Sequence, residues 1–393
     1  MLRNLVVPAA ILATALMTGC QTTQMQDNKP NTTPSVEQPS HSSEKPDSSS
    51  VVEVKKAPSQ VEAPSKPKAP HLITIKEQIV QVPAHLDGRL VLGLEEEATL
   101  PNQGVQMIAK LDTGAANTSI DARNIQRFER DGKKWVRFNL PRTSKGLLPI
   151  ELPVQEIIRI KRPGLEAIER PVVLMTVTIG ELTQQVNVSL TDREKYSYPL
   201  LVGRNFMKDL AVIDVNKKNV AEKSLLGSRS LQVSAPEGKK PYTRIVNKPV
   251  SIAGLTTLGA IETVTLPDAG ISLPARIDTG ARTSSLDARE LELFQKKHKD
   301  WVRFKVPHKK GMITVEEPVT RFVLIKRHGQ ESERRPVVTL KVQIGQLIQA
   351  AQFTLRSREG YDYPILIGER FLKQAAIVDV SRKNTSSAAQ GDI

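Results

Sequence analysis

The residues best suited to chemistry in this chain are two aspartates that occur in the same short motif. Asp112 and Asp278 each begin the sequence Asp-Thr-Gly-Ala, and each follows an apolar run. Two carboxylates about 3 Å apart cannot both ionise, so they share one proton and titrate as a pair. The ionised member can take a proton from a water molecule while the neutral member donates to a substrate carbonyl. The two motifs therefore predict a catalytic dyad for hydrolysis.

The residues after each aspartate predict how the two motifs meet. We expect Thr113 and Thr279 to hydrogen-bond across to the opposite loop and so to lock the pair. We expect Gly114 and Gly280 to let the backbone turn tightly beside each aspartate. Both contacts require two equivalent loops in the folded protein.

A tandem repeat supplies these equivalent loops. Blocks of sequence recur in the same order in the two halves of the chain: residues 111–115 with 277–281, 119–123 with 285–289, 135–138 with 301–304, 170–173 with 335–338, and 196–203 with 361–368. Collinear copies predict two similar lobes, at residues 87–220 and 253–385, joined by an irregular connector at residues 221–252. Both copies are rich in β-branched runs that end at Gly or Pro, so we predict an all-β fold with a short helix late in each lobe.

Composition and absent motifs exclude several classes of protein. The chain has 393 residues, a formal net charge of +14 and one cysteine, so an intrachain disulfide is excluded. Its six histidines are scattered and do not recur between the repeats. The sequence has no His-Glu-x-x-His pair, no phosphate-binding Gly-rich loop and no Gly-x-Ser-x-Gly, so we predict no metal and no cofactor. The basic clusters lack interleaved aromatic residues, so we expect no nucleic-acid partner; the charge would suit an acidic peptide.

These motifs resemble those of the retropepsin-type aspartic proteases, in which an apolar-apolar-Gly-Arg-Asn sequence, here residues 201–205, packs beneath the catalytic loop. Each lobe is more closely similar to a bacterial retropepsin-like family often labelled "ATP-dependent zinc protease", marked by Asp-Thr-Gly-Ala, Ser-x-Asp-Ala and Tyr-Pro-x-Leu-x-Gly. The resemblance implies an aspartic-type endopeptidase made of two tandem β-barrel lobes, related by a pseudo-twofold axis within one chain. It also implies catalytic-loop support from a further set of residues: Ala115, Ala281, Gly203 and Gly368.

The resemblance is incomplete at one position. Retropepsins place an acid just after Asp-Thr-Gly-Ala, and it pairs with the arginine that follows the late glycine. Ala116 and Arg204 occupy those positions in the first lobe, and Arg282 and Glu369 occupy them in the second. We hypothesise a charge-reversed pair between Arg282 and Glu369, and a pair between Arg204 and Asp121.

Residues 1–20 resemble a bacterial lipoprotein signal peptide. A short basic region precedes an apolar run, and small residues follow just before Cys20. The run is too short to span a bilayer. The resemblance implies lipid attachment at Cys20, and Gln21 favours the outer membrane, with the protein facing the periplasm. Residues 21–86, rich in Pro and Ser, predict a disordered tether, and residues 386–393 a disordered tail.

Some repeated features have structural interpretations. Four residues are expected to brace turns or to pack in the core or on hairpins: Asp121, Asp287, Trp135 and Trp301. The hairpins at residues 142–149 and 308–314 are either a flap over the cleft or ordinary solvated hairpins.

Two other arrangements remain open at this point. The alternative function is a non-catalytic envelope lipoprotein that binds a protein or the cell-wall polymer through the duplicated lobes. In a variant of the enzyme, each lobe pairs with the same lobe of a second molecule instead of with its neighbour.

Overall fold

The computed structural model describes residues 70–142, 146–162, 165–327 and 330–386. Strands dominate these ranges, which confirms the all-β prediction. The predicted signal peptide with Cys20 and most of the predicted tether lie outside the described residues, as does nearly all of the predicted tail. No helix within these ranges has the length and apolar character needed to cross a membrane.

The first lobe follows one strand, β1 (His71–Val82), and is itself built almost entirely of strands. These are β2 (His85–Leu86), β3 (Arg89–Leu100), β4 (Val105–Leu111), β5 (Thr118–Asp121), β6 (Arg123–Arg130), β7 (Lys133–Arg142), β8 (Gly146–Arg162), β9 (Leu165–Ile179), β10 (Leu182–Thr191), β11 (Leu200–Val202) and β12 (Ala211–Lys218). A short helix, α1 (Arg204–Met207), lies between β11 and β12. Along β4 every second residue is buried, from Val105 to Leu111, as in a strand with one face on a core.

The second lobe repeats the first after two joining strands, β13 (Ser224–Ala235) and β14 (Tyr242–Pro249). Its strands are β15 (Thr256–Gly259), β16 (Ile261–Leu266), β17 (Ile271–Asp278), β18 (Ser284–Asp287), β19 (Arg289–Lys296), β20 (Lys299–His308), β21 (Gly311–Pro318), β22 (Arg321–Arg327), β23 (Gln330–Ile344), β24 (Leu347–Arg356), β25 (Ile365–Gly368) and β26 (Ala376–Asp379). Its short helix, α2 (Glu369–Leu372), again precedes the last strand, as the sequence predicts.

Each lobe closes into a six-stranded barrel. In the first lobe the pairing order is β3, β4, β11, β5, β10 and β9, and Thr99 opposite Thr178 joins β9 back to β3. In the second lobe the order is β16, β17, β25, β18, β24 and β23, and Thr265 opposite Gln343 closes the ring. The two orders correspond strand for strand, so the structure confirms two tandem barrels of one topology.

The lobes are joined through a shared sheet with the order β15, β26, β12 and β3. The last strands of the two lobes meet there, with Ile213 opposite Val378. Buried apolar residues of both lobes form one continuous core, and a smaller cluster that includes Val91, Val212 and Ile377 lies on the shared sheet. Since burying one such side chain contributes roughly 1.5–3 kcal/mol, this joint core stabilises the pairing of the lobes within one chain.

Part of the predicted tether and connector is folded. β1, which falls within residues 21–86, is the centre of a three-stranded sheet with β13 and β14, which fall within residues 221–252. Glu77 of β1 is buried and accepts hydrogen bonds from Arg229 and Arg244 on the flanking strands. These arginines hold the pKa of Glu77 below its ordinary value. The predicted disorder and irregularity are wrong for these strands, because they pair with partners that are distant in the sequence.

The outer hairpins pack on the barrels. Val306 of β20 is fully buried, and Ile313 and Val315 of β21 lie against the core. Trp135 and Trp301 pack on these outer sheets, each with its ring centroid 6.4 Å from that of a phenylalanine. The packing of the β20–β21 strands on the barrel favours an ordinary solvated hairpin at residues 308–314 over a flap.

The buried carboxylate of Glu262 binds the segment that ends the second lobe, at Thr385 and Ser386. Glu262 accepts hydrogen bonds from the Gly259 amide at 2.6 Å, the Thr385 amide at 3.0 Å and the Ser386 hydroxyl at 2.7 Å. We expect Glu262→Ala to lower the free energy of unfolding by about 3 kcal/mol, because it leaves these donors without an acceptor. Urea denaturation measures this, with exposed Glu129→Ala as the control at about 0.5 kcal/mol or less. Equal losses for the two variants would contradict the role of Glu262.

Candidate active site

The two aspartates stand at the ends of equivalent strands. Asp112 follows β4, and Asp278 is the last residue of β17. Because alternate residues of these strands are buried, Leu111 and Ile277 anchor the start of each loop in its barrel. The positions of the two carboxylates are thus set by the barrels and not by a mobile surface loop.

Each loop orients its own carboxylate. Asp112 Oδ1 accepts hydrogen bonds from the amides of Gly114 and Ala115, at 2.9 and 3.0 Å. Asp278 Oδ1 accepts one from the amide of Ala281, at 3.0 Å. The second oxygen of each carboxylate is then directed away from its own loop, toward the other lobe.

Each loop glycine faces the carboxylate of the opposite lobe. A Cβ atom on Gly114 would lie well under 3.0 Å from the Asp278 carboxylate, and one on Gly280 would lie equally close to that of Asp112. Neither glycine has the left-handed backbone conformation. Glycine is therefore needed for close approach to the other lobe, in addition to the expected tight turn, which is present where the Ala115 amide donates to the Asp112 carbonyl at 3.3 Å. The structure brings the two carboxylates together between the lobes.

The two threonines bind across the interface. The amide of Thr113 donates to Thr279 Oγ1 at 3.0 Å, and the amide of Thr279 donates to Thr113 Oγ1 at 3.0 Å. Each hydroxyl also donates to the opposite lobe, from Thr113 to the Ile277 carbonyl at 2.8 Å and from Thr279 to the Leu111 carbonyl at 2.7 Å. Both threonines are fully buried. The cross-loop contact expected from the sequence is present.

The late glycines pack beside the loops. A Cβ atom on Gly203 would approach the Asn117 backbone to 2.5 Å, and one on Gly368 would approach the Thr283 backbone to 2.7 Å. Only glycine allows β11 and β25 to lie this close to the segments that follow Asp-Thr-Gly-Ala. Gly203 and Gly368 therefore support the loops from below.

The position of Asp278 between the lobes raises its pKa. Burial, and then the neighbouring charge of Asp112, raise the pKa of Asp278 to about 6, against the opposing effect of the loop amides and Arg276. A carboxyl with this pKa keeps its proton in weakly acidic solution. One carboxylate and one carboxylic acid side by side are the state that general acid–base hydrolysis requires.

Basic residues from each lobe bind the loop of the other lobe. Lys110 Nζ donates to the Gly280 carbonyl at 2.9 Å, and Arg276 Nη1 donates to the Gly114 carbonyl at 3.3 Å. The sequence analysis missed these two residues. The signal was available, since a basic residue stands two positions before the aspartate in both repeats.

One hypothesised ion pair is replaced by bonds to the backbone. Arg204 Nη1 donates to the carbonyls of Thr113 and Gly114, at 2.9 and 2.8 Å. Asp121 pairs instead with Arg123, at 2.8 Å. The hypothesis of an Arg204–Asp121 pair is wrong, because the turn after β5 places a nearer arginine against that carboxylate.

The charge-reversed pair is also replaced. Glu369 pairs with Lys373 one helical turn away, at 3.0 Å. Among the described residues no ion pair joins Glu369 to Arg282. The short helix therefore satisfies this acid locally.

A duplicated arginine braces each tyrosine segment. The amides of Arg193 and Arg358 donate to Asp121 and Asp287 respectively, both at 2.7 Å. Each side chain also donates to a buried serine hydroxyl and to a tyrosine carbonyl. The structure thus confirms that the repeated aspartates brace turns. Sequence analysis missed the arginines, although Arg-Glu-x-Tyr-x-Tyr-Pro occurs in both repeats.

A cavity of about 460 Å3 opens beside Asp278. Ile325 of β22 and Arg335 of β23 line it, so the β22–β23 hairpin borders the cleft on this side. Arg276, Arg356 and three residues of the tyrosine segment also line it: Tyr361, Asp362 and Tyr363. The space next to the carboxylate is therefore polar and rich in positive charge.

The described residues do not suit a metal. Within residues 70–142, 146–162, 165–327 and 330–386 no three His, Cys, Asp or Glu side chains are grouped as ligands. Zinc chemistry, named in the label of the resembling family, therefore has no ligand set in this part of the chain.

Comparison with known proteins identifies the repeats. A sequence model of the retropepsin-like aspartic endopeptidase RimB matches residues 91–224 and 257–388. A protein named "Probable alpha-L-glutamate ligase" from Shewanella pealeana is 33% identical over 132 residues, which are 33% of this chain and 29% of that protein. One of the same name from Desulfotalea psychrophila is 28% identical over 135 residues, which are 32% of this chain and 28% of that protein.

A solved structure is similar to one lobe in sequence. The Legionella pneumophila protein Lpg0085, of unknown function, is 34% identical, and the match covers 34% of this chain and 98% of that one, with a TM-score of 0.30. The matched segment spans less than a third of the curated relatives.

The raised pKa of Asp278 predicts how stability depends on pH. Between its ordinary value of 3.8 and about 6, the folded protein holds more of this proton than the unfolded chain does. The free energy of unfolding therefore falls as pH rises through this window, by up to roughly 3 kcal/mol from this group. Asp278→Asn removes the group, and we expect a flatter profile in urea denaturation at pH 4, 5, 6 and 7. Exposed Asp131→Asn is the control, and equal slopes for all three proteins would contradict the raised pKa.

Proposed function

Because the chain belongs to the family of the retropepsin-like aspartic endopeptidase RimB, we propose that it hydrolyses peptide bonds with Asp112 and Asp278 as the dyad. The observation that carries the proposal is the reciprocal approach of each carboxylate to the opposite loop glycine. Each lobe contributes one aspartate, so a complete dyad needs both repeats of one chain and no second molecule.

The proposed reaction uses a water molecule held between the carboxylates. The ionised aspartate takes a proton from this water, whose oxygen attacks the substrate carbonyl carbon. The protonated aspartate donates its proton to the carbonyl oxygen. As the carbon–nitrogen bond breaks, the leaving nitrogen takes a proton from the dyad. One hydroxyl of the tetrahedral intermediate gives its proton back to the dyad as it becomes part of the product carboxyl group, so the carboxylates again share one proton. The threonine contacts support this sequence because they keep both carboxylates in place throughout.

We propose an acidic peptide as the substrate. Lys110, Arg204 and Arg276 lie around the dyad loops, and further arginines line the cavity beside Asp278. Positive charge of this kind attracts acidic peptides and repels basic ones. The curated relatives are named as glutamate ligases, but the match covers 29% of that protein, so we do not propose a ligase activity here.

We propose that the protein is held at the bacterial outer membrane by a lipid on Cys20 and faces the periplasm. This follows from the resemblance of residues 1–20 to a lipoprotein signal peptide. Acyl chains on one residue would anchor the protein while residues 21–70 separate the barrels from the membrane surface.

The dyad is tested by replacing each aspartate alone. We expect Asp112→Asn and Asp278→Asn each to lower kcat on an acidic peptide by at least about a hundredfold, because the one carboxyl that remains cannot act as both base and acid. Peptide cleavage is followed by mass spectrometry of the products. The matched control is Asp131→Asn, on an exposed turn with a positive φ that asparagine tolerates. Full activity in either dyad variant rules out the mechanism, and absence of cleavage by the unmodified protein favours a binding role.

The anchor is tested at the cysteine. Cys20→Ala removes the thiol, so we expect the protein to leave the membrane fraction and to appear in the soluble fraction of the envelope. Incorporation of radiolabelled palmitate into the unmodified protein measures lipidation directly. Membrane association that survives Cys20→Ala would contradict the proposal.

A further inference from the structure

The two sides of the cleft differ in charge. The cavity beside Asp278 is lined by four arginines, Arg276, Arg335, Arg356 and Arg358, and by one other acid, Asp362. We call it the Arg356 pocket. These arginines outnumber the acids that line it, so the pocket is positive even when Asp278 is ionised.

Two of these arginines retain unused hydrogen-bond donors. Arg335 is 6% exposed and pairs with Glu333 at 2.6 Å, but its buried Nε has no partner among the described residues. Arg356 donates to the Ser357 carbonyl and the Tyr361 hydroxyl, both at 3.1 Å, and forms no ion pair within the described part of the chain. The Arg335 Nε is shielded from the cavity, whereas Arg356 is half-buried, so an anion that enters the pocket can reach its remaining N–H groups.

The equivalent place in the first lobe lacks the key arginine. Arg356 lies opposite Asp287 in the pairing of β24 with β18, and Thr191 lies opposite Asp121 in the same position between β10 and β5. Threonine is short and neutral, so the first lobe has no guanidinium at this point.

The first lobe also carries a carboxylate that the second lacks, Glu95, which pairs with Lys218 at 2.7 Å. Glu95 stands opposite Lys110 in the pairing of β3 with β4, whereas Ile261 stands opposite Arg276 in the second lobe. Glu95 also accepts a hydrogen bond from the Tyr198 hydroxyl at 2.5 Å, which with burial raises the pKa of Tyr198 to about 12. The second lobe has an apolar residue where the first has this carboxylate.

We propose that the Arg356 pocket is a carboxylate-binding subsite present on the second lobe alone, with Arg356 as its specificity-determining residue. The proposal rests on the proposed function, because the bound carboxylate belongs to the peptide whose carbonyl meets the dyad. A guanidinium binds a carboxylate through two parallel hydrogen bonds, which position the peptide as well as attract it.

The one-sided subsite makes cleavage directional. A peptide that crosses the dyad has its residues before the scissile bond on one lobe and those after it on the other. With a single carboxylate subsite, the acidic residue is held on one fixed side of the bond that breaks. Identical pockets on both lobes would accept it on either side.

The carboxylate has two possible sources, an acidic side chain or the end of the peptide chain. Three peptides that are otherwise uncharged distinguish these two sources. The first has a central Glu and blocked ends, the second has Gln in place of Glu and blocked ends, and the third is the Gln peptide with a free carboxyl terminus. Binding is measured by fluorescence anisotropy in the Asp112→Asn background, which does not depend on hydrolysis.

We expect the Glu peptide or the free-terminus peptide to bind at least about tenfold more tightly than the blocked Gln peptide, and Arg356→Thr to abolish this difference. Arg356→Thr installs the residue of the first lobe, and exposed Lys309→Thr is the matched control that keeps the difference. The proposal is overturned if Arg356→Thr affects all three peptides equally or affects none.

Direction is tested in the active protein. Mass spectrometry of the products should show cleavage on one side of Glu, and Arg356→Thr combined with Thr191→Arg should move the cut to the other side. Cleavage on both sides by the unmodified protein would overturn the one-sided subsite. Selective binding without any hydrolysis would refute the proposed function but support the carboxylate subsite. Hydrolysis without Arg356-dependent selectivity would support the proposed function but refute the subsite.

Discussion

The reciprocal hydrogen bonds between Thr113 and Thr279 are the constraint on which the site depends. Each threonine uses its amide and its hydroxyl across the interface, and both residues are fully buried. Separating the loops would leave these groups without partners in a medium of low dielectric constant, where the loss is expensive. The contact therefore holds Asp112 and Asp278 together even though their charges repel. The raised pKa of Asp278 follows from this enforced proximity and from burial.

Duplication within one chain frees the two halves of the site to differ. In a homodimer both halves must carry the same residue at each position, since one sequence encodes them. Here the threonine lock is the same on both sides, but Thr191 and Arg356 occupy equivalent positions, as do Glu95 and Ile261. The residues that hold the dyad are thus symmetric, while those around it have diverged.

The sequence predicted correctly the features that depend on a local motif and on its duplication. The motif spacing predicted two barrels of one topology and the threonine contact, because each depends on local pattern and its duplication. It failed where the partner is distant: Glu77 binds arginines more than 150 positions away, and Arg204 binds loop carbonyls in place of an acid. The glycine prediction was incomplete for a related reason, because it gave the turn but not the close approach to the other lobe. The need for Gly114 comes from Asp278 in the other lobe, and no local pattern encodes that contact.

The positive charge around the dyad has a physical role that composition alone did not suggest. Burial raises the pKa of Asp278, and a fully protonated pair would have no base to activate water. Lys110, Arg204 and Arg276 bind loop carbonyls close to the carboxylates without forming ion pairs with them. The charge of Arg276 opposes the rise in the pKa of Asp278 and so favours the ionised carboxylate. Burial and the surrounding positive charge therefore act in opposition on the Asp278 carboxyl, and their balance leaves its pKa at about 6, where it can both hold and release a proton.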